Sequence, residues 1–256
     1  MSPLPRGRHD PAPRDQVDLE LVVPAFNEAA RLPATLAEVT GFLTDQPWRS
    51  RVVVVDNGST DDTATIVAAR DWATEVVVVG CSRPGKGAAV RRGIAGSAAR
   101  YVGFIDADLS TPVPTLSRAV AELEAGAVAA IASRHAPGAA LARPQPVTRR
   151  LGGAVFRAIA RRLVPGVHDT QCGFKIFERS AVQWALRRCQ VSGFAFDVEL
   201  LRRIHRAGGR IAEVPVTWTD DERSTFRPVR DGQAAFADLF RLYRADLFDT
   251  ARAGAR

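Results

Sequence analysis

The chain has 256 residues, 46% of them hydrophobic and 25% charged, which is enough apolar material for one large α/β domain with a continuous core. Its net charge of +7, from 35 Lys and Arg against 28 Asp and Glu, suits phosphate-bearing partners, with arginine scattered rather than gathered in one block. The absence of a zinc finger, an RNP-type aromatic motif and a basic-plus-heptad region argues against nucleic acid as partner, and three cysteines (Cys81, Cys172, Cys189) without metal-ligand spacing fit a reduced, cytoplasmic protein.

Residues 1–16 are polar, rich in Pro and Arg and non-periodic, so they read as a disordered arm, and they lack the apolar stretch of a signal peptide. Four β-branched runs follow: Leu19–Val23, Arg51–Asp56, Glu75–Val79 and Tyr101–Asp106. Their nearly continuous apolar character is that of strands buried on both faces of a parallel sheet. Helical patterns over Arg31–Thr44, Asp61–Trp72 and Lys86–Ala99 lie between them, and this alternation predicts stacked βαβ units. The right-handed crossover rule then brings the carboxyl ends of the strands to one edge.

Beyond Thr111 the spacing predicts a helix over Val113–Ala125, a strand over Val128–Ser133 and a long basic, Pro-rich loop from His135 to Arg150. Helix Leu151–Leu163, the stretch Asp169–Phe177, helices Arg179–Arg187 and Phe196–Ala207, strand Arg210–Val216 and a charged loop Asp220–Asp231 complete the domain, read as 17–230. Phe236, Leu239, Phe240, Tyr243 and Leu247 form a helical stripe flanked by arginines, so residues 231–256 read as an amphipathic helix. Packing on the domain is its first reading and a membrane interface its second. No segment reaches the roughly 20 apolar residues of a membrane span; the best candidate, Ala119–Ala132, is broken by Glu122 and Glu124.

Three polar clusters close the first, second and fourth strands: Pro24-Ala25-Phe26-Asn27-Glu28, Asp56-Asn57-Gly58-Ser59-Thr60 and Asp106-Ala107-Asp108. Open α/β sheets bind ligands beyond their carboxyl ends, so these clusters predict one crevice. Asp106 and Asp108, two apart, share a face in extended geometry and offer hard oxygen ligands to a divalent cation beside a diphosphate. Asp56 is placed to accept a ring N–H of a base, while Ser59 or Thr60 caps the next helix, with Asp61 and Asp62 in its first turn. Gly80-Cys81-Ser82-Arg83-Pro84-Gly85-Lys86-Gly87 nearly matches a P-loop, but Gly87 stands where the Mg²⁺-binding hydroxyl belongs, which leaves Lys86 and loop amides near a diphosphate. Asp197 and Glu199 open a helix, where they serve its dipole or, for Asp197, base catalysis.

In order along the chain, Val22–Glu28, Val55–Asp61, Gly85-Lys86-Gly87, Asp106-Ala107-Asp108, Asp169-Thr170-Gln171-Cys172-Gly173-Phe174-Lys175 and Phe196-Asp197-Val198-Glu199 resemble glycosyltransferase family 2. Within it they are most similar to the polyprenyl-phosphate sugar transferases, both the dolichyl-phosphate β-glucosyltransferases and the dolichol-phosphate mannose synthases. The resemblance implies a GT-A fold in a single α/β domain, with a Rossmann-like, mostly parallel central sheet flanked by helices. It also implies an inverting, single-displacement hexosyl transfer from a nucleotide-diphospho-sugar, UDP-glucose or GDP-mannose, with Mg²⁺ or Mn²⁺ as cofactor. Pro24, Asn27, Glu28, Asp56 and Gly58 would line the nucleoside pocket, Asp106 and Asp108 would hold metal and diphosphate, and Lys86 and Arg134 would lie near the donor. The acceptor is then a polyprenyl phosphate, reached by peripheral contact with the inner face of the membrane, or a soluble molecule. Arg149, Arg150, Arg223 and Arg227 are candidates for its phosphate, Asp169 for the base or acceptor-orienting carboxylate, and Asp197 for the reserve base. A non-catalytic nucleotide-sugar-binding module is the alternative from another class.

Overall fold

A computed structural model describes Leu4 and residues 17–141, 147–193, 195–218 and 234–244, with the side chains of 141–152 and of Trp218 outside that description. In chain order the elements are β1 (Leu19–Ala25), α1 (Leu32–Thr44), β2 (Ser50–Asp56), α2 (Thr63–Ala68), β3 (Glu75–Gly80), α3 (Lys86–Ala95), β4 (Tyr101–Ile105) and α4 (Thr115–Glu124). Then come β5 (Ala129–Ser133), β6 (Ala140–Leu141), α5 (Val147–Leu163), β7 (Phe174–Glu178), α6 (Arg179–Leu186), α7 (Phe196–Arg206), β8 (Ile211–Pro215) and β9 (Thr217–Trp218). A helix over 234–244 follows.

Seven strands form one sheet in the order β3-β2-β1-β4-β7-β5-β8, while β6 and β9 pair separately. All neighbours in the large sheet are parallel except those of β7, which runs antiparallel to both β4 and β5. The fold is thus α/β with a mostly parallel sheet, as expected.

Side chains alternate across the pleat and fill two cores. Val22, Val53, Val55, Val102, Phe104 and Ile131 face α3, α5, α6, α7 and the 234–244 helix. Leu19, Leu21, Val23, Val52, Val54, Ile105 and Ile176 face α1, α2 and α4. Burying a Val or Leu side chain contributes about 1.5–3 kcal/mol, so these two layers set the strand register firmly. Ala235, Leu239 and Leu242 of the last helix are buried in the first core, whereas Phe240 is 58% exposed.

Four expectations differ from the structure. β3 is an edge strand, and its valines are only half-buried rather than covered on both faces. α2 begins at Thr63, with Asp62 at its N-cap, because the side chains of Ser59 and Thr60 bond to Asn27 and that of Asp61 to Ala29 and Thr63. β7 is a strand where only an unassigned stretch was predicted. α5 starts at Val147, which puts the backbone of Arg149 and Arg150 in its first turn rather than in a loop. The side chains of Arg149 and Arg150, all of Arg223 and Arg227, and the loop Asp220–Asp231 lie outside the described residues.

Candidate active site

The carboxyl ends of β1, β2 and β4 lie side by side, with Ala25 paired to Asp56 in register. Their loops are then stitched together by side chains. Asn27 adopts a left-handed φ of 56°, which Asn tolerates better than most residues. That turn lets its backbone N–H donate to Ser59 Oγ at 3.0 Å while its Oδ1 accepts from Thr60 N at 2.8 Å. Glu28 N donates to Thr63 Oγ1 at 2.8 Å, and Ala29 N to Asp61 Oδ2 at 3.1 Å. Helix α2 and the β1 loop therefore share the polar groups that sequence alone would spend on a helix cap.

Asn57 makes the second stitch, a role its sequence context does not announce. Its Nδ2 donates to the Cys81 and Arg83 carbonyls at 3.2 and 2.8 Å, and its Oδ1 accepts from Gly85 N at 2.8 Å. The β3–α3 loop, which carries Lys86, is thereby fixed to the end of β2. Asp56 is half-buried, and its Oδ1 accepts from Ser59 N at 3.3 Å. Pro24 pairs with Val55 in the sheet, Gly58 turns the chain at φ 81°, and Phe26 stands 53% exposed beside them.

The third cluster sits one strand further on. Lys86 Nζ lies 2.6 Å from Asp106 Oδ1, with the two side chains 24% and 38% exposed. Burial works against the Lys86 charge, but Asp106, Asp197 and Asp108 overcome it and hold the ammonium well above the ordinary lysine value. Asp108 Oδ1 accepts from Ser110 N at 3.0 Å, in a turn where Leu109 has φ 48°. Among the described residues Asn27 and Leu109 are the two non-glycine residues with positive φ, and both belong to this edge. Burial raises the pKa of Glu28, Asp108 and Asp61 add to the rise, and the ion pair with Arg31 opposes it. Thr35 of α1 donates through Oγ1 to the Ala107 carbonyl at 2.6 Å, which ties the helix after the first cluster to the Asp106-Ala107-Asp108 turn.

Because β7 runs against β4, its N-terminal loop arrives at the same edge. Ile105 pairs with Phe174, and Asp106 N donates to the Gly173 carbonyl at 2.9 Å. A Cβ on Gly173 would stand 1.7 Å from Asp106 Oδ2, so only glycine leaves room for that carboxylate as it lies. Arg134 follows β5 directly and grips Asp169 with both arms of its guanidinium, Nε to Oδ2 at 2.6 Å and Nη2 to Oδ1 at 2.9 Å. Asp169 is fully buried; burial disfavours its charge, yet Arg134 more than compensates and holds the carboxyl well below the usual carboxylate range. Glu213 of β8 fixes the turn by accepting from the backbone N–H groups of His168 and Asp169 at 2.9 and 3.0 Å.

Asp197 lies beneath, with its Oδ1 2.9 Å from Lys175 Nζ and both side chains buried. Lys175 also donates to the Cys172 carbonyl. Lys86 and Lys175 approach the ring of Phe104, at 5.7 and 5.2 Å from its centroid. The role of Lys175 was missed from sequence, although its signal was there: a lysine inside Phe-Lys-Ile-Phe is buried only with a partner.

Asp106 and Asp108 present hard oxygens of the kind that Mg²⁺ or Mn²⁺ takes. No group of three or more His, Cys, Asp or Glu side chains is gathered for a metal among the described residues, so a cation here would complete its shell with diphosphate oxygens and water. The residues fit such an ion.

A model of the family described as glycosyl transferase family 2 matches residues 20–184. The chain belongs to that family. A dolichyl-phosphate beta-glucosyltransferase of Dictyostelium discoideum is 29% identical over 246 residues, covering 90% of this chain and 75% of the relative. The human dolichyl-phosphate beta-glucosyltransferase is 31% identical over 230 residues, covering 82% of this chain and 70% of the relative. Among solved structures, glucosyl-3-phosphoglycerate synthase from Mycobacterium tuberculosis in complex with Mn²⁺, UDP and glucosyl-3-phosphoglycerate superimposes with a TM-score of 0.66 at 21% identity, covering 94% of this chain and 88% of that one. The fold is that of the GT-A glycosyltransferases, and the chain is an enzyme, a hexosyltransferase. No helix among the described residues is long and apolar enough to cross a membrane.

Proposed function

We propose that this enzyme transfers glucose with inversion from UDP-glucose to a polyprenyl phosphate in one metal-assisted displacement. The observation that carries the reading is the Asp106 carboxylate, lodged over Gly173 and ion-paired to Lys86, in a chain whose relatives include dolichyl-phosphate beta-glucosyltransferases.

Pro24, Asn27, Glu28, Asp56 and Gly58 line the nucleoside pocket in this reading, and Lys86 meets the diphosphate. Asp106 and Asp108 would hold Mg²⁺ or Mn²⁺, which when bound supplies charge neutralisation for the departing nucleoside diphosphate. Arg134 receives the acceptor phosphate or the sugar end of the donor, and Arg149 and Arg227 remain candidates for that phosphate. A phosphate acceptor is already ionised near neutral pH, so positioning and electrostatics outweigh proton removal. That chemistry matches two carboxylates already engaged with cations: Asp169 serves by orienting Arg134, and Asp197 by holding Lys175 under Phe104. Residues 17–230 form the catalytic domain, and the helix that follows packs against it.

The test is glucosyl transfer from UDP-glucose to a short-chain polyprenyl phosphate with Mn²⁺, read by product chromatography. Asp108→Ala is expected to lower kcat by about 10²–10³-fold. Undiminished turnover in excess chelator overturns the metal assignment. Transfer only to a water-soluble phosphate ester, with no lipid product, replaces the lipid acceptor by a soluble one.

A further inference from the structure

Glu199 stands in the first turn of α7, where the sequence assigns it to the helix dipole. In the structure its carboxylate has another task. It is buried, and its Oε2 accepts from the backbone N–H groups of Gln190 and Val191, each at 2.8 Å. Its Oε1 takes the Arg203 guanidinium, from Nε at 3.1 Å and from Nη2 at 2.6 Å. Residues 189–192, between α6 and α7, belong to no helix or strand, so their backbone groups need partners from elsewhere. Arg91 of α3 supplies more of them. Its Nη1 donates to the Leu186 and Cys189 carbonyls at 3.0 and 2.8 Å, and its Nη2 to the Val191 carbonyl at 3.3 Å. The same guanidinium lies 5.8 Å from the centroid of the Phe196 ring.

The segment held in this way presents the Ser192 carbonyl to the loop that carries Lys86. Gly87 N donates to that carbonyl at 3.1 Å. Gly87 is the second residue of α3, and the first N–H groups of a helix have no partner within it. A Cβ on Gly85 or on Gly87 would stand 2.8 Å from the Ser192 oxygen, so the close approach needs glycine on both sides of Lys86. Asn57 Oδ1 already holds the Gly85 N–H at 2.8 Å. Lys86 is thus carried between two anchors, Asn57 on the residue before it and Ser192 on the residue after it, and from there its ammonium reaches Asp106.

We propose that Glu199 and Arg91 are positioning residues for Lys86, acting through the 189–192 segment and the Ser192 carbonyl on which the start of α3 rests. The inference rests on the reading in which Lys86 meets the donor diphosphate. Loss of either side chain frees the segment, and a shifted loop carries the ammonium away from that diphosphate, where small displacements have large effects.

Two measurements on the full chain test this. Amide exchange at Gly87, followed by NMR, reads the anchor with no ligand present. Glu199→Ala is expected to speed that exchange at least about tenfold, as loss of the bonds that hold the segment requires. Glu199→Gln, whose side-chain carbonyl can still accept from both amides, is expected to stay within about threefold of wild type. Arg91→Gln reaches the same segment from another helix and is expected to speed exchange too, and it replaces Glu199→Ala in both measurements if that variant does not fold. Calorimetric titration of UDP with Mn²⁺ reads the consequence. Glu199→Ala is expected to weaken UDP about tenfold in the wild-type background and less than about twofold in the Lys86→Ala background, because an effect exerted through Lys86 vanishes with it. Equal weakening in both backgrounds, as a merely structural role would give, overturns the inference, and so does unchanged Gly87 exchange in Glu199→Ala and Arg91→Gln. Wild type that binds no UDP overturns the donor assignment instead, and Gly87 exchange then decides the positioning role.

Discussion

Between β1, β2 and β4 the polar side chains hold loops, whereas between β5 and β7 they hold each other. On the first side Asn27, Asn57, Ser59 and Asp61 spend their hydrogen bonds on backbone N–H and carbonyl groups, and Asp56, Asp106 and Asp108 stay half-buried at the mouth. On the second side Asp169 is closed on Arg134 and Asp197 on Lys175, with both carboxylates almost fully buried. The difference separates half-buried carboxylates, Asp106 on Lys86 among them, from buried carboxylates that fix a cation in place. Fixed charges need no reorganisation when charge develops, which is where electrostatic catalysis gains most.

The sharpest way to break the comparison is at Asp169. Asp169→Asn removes one partner of a buried pair and is expected to cost about 3–5 kcal/mol, measured by chemical denaturation. Its sign with pH follows from the direction of the shift. The folded carboxyl sits below its unfolded value of about 3.9, so the pair's stabilisation is complete above that pH and is lost as pH falls further, through the folded value. The gap between wild type and Asp169→Asn should therefore hold steady from about pH 8 to 5 and close only below about pH 4. A gap that closes between pH 8 and 6 would point to another group.

Gly173→Ala probes the join between the two sides. The added methyl must push the Asp106 carboxylate from its place, so kcat is expected to fall by about 10–100-fold, since small misplacement of catalytic groups has effects of this order. Thermal stability should change little, because Asp106 is the flexible end of the contact. The smallest effect is expected at Asn57→Ala, which frees the β3–α3 loop at a cost of about 1–2 kcal/mol in stability and raises the KM for the donor more than it lowers kcat. An unchanged KM would show that the Lys86 loop needs no stitch.

Much of the first side was legible in the sequence. Leu19–Val23 lies in β1 and Tyr101–Ile105 forms β4 because apolar residues are buried on both faces there, and the polar residues that follow had no core to enter. The second side was harder to read for a physical reason. Lys175 interrupts the apolar pattern of β7, and its partner Asp197 is on a helix whose first turn accepts acidic residues anyway. The Asp61 side chain reads locally as a first-turn acid serving the helix dipole, yet it reaches across to Ala29, a contact that no local pattern encodes. Pro146, immediately before Val147, is a start signal for α5 hidden in a Pro-rich stretch otherwise read as loop.

The reversed direction of β7 has a consequence for how the protein is made. Asp106 leaves the ribosome well before Gly173, Lys175 and Asp169, and its carboxylate has no floor until that later hairpin-like return threads between β4 and β5. Contacts so distant in sequence close late, after the local βαβ units have formed. A nascent chain that has reached β5 therefore carries the loops after β1, β2 and β4 but not yet the floor beneath Asp106, which arrives with the strand that runs the other way.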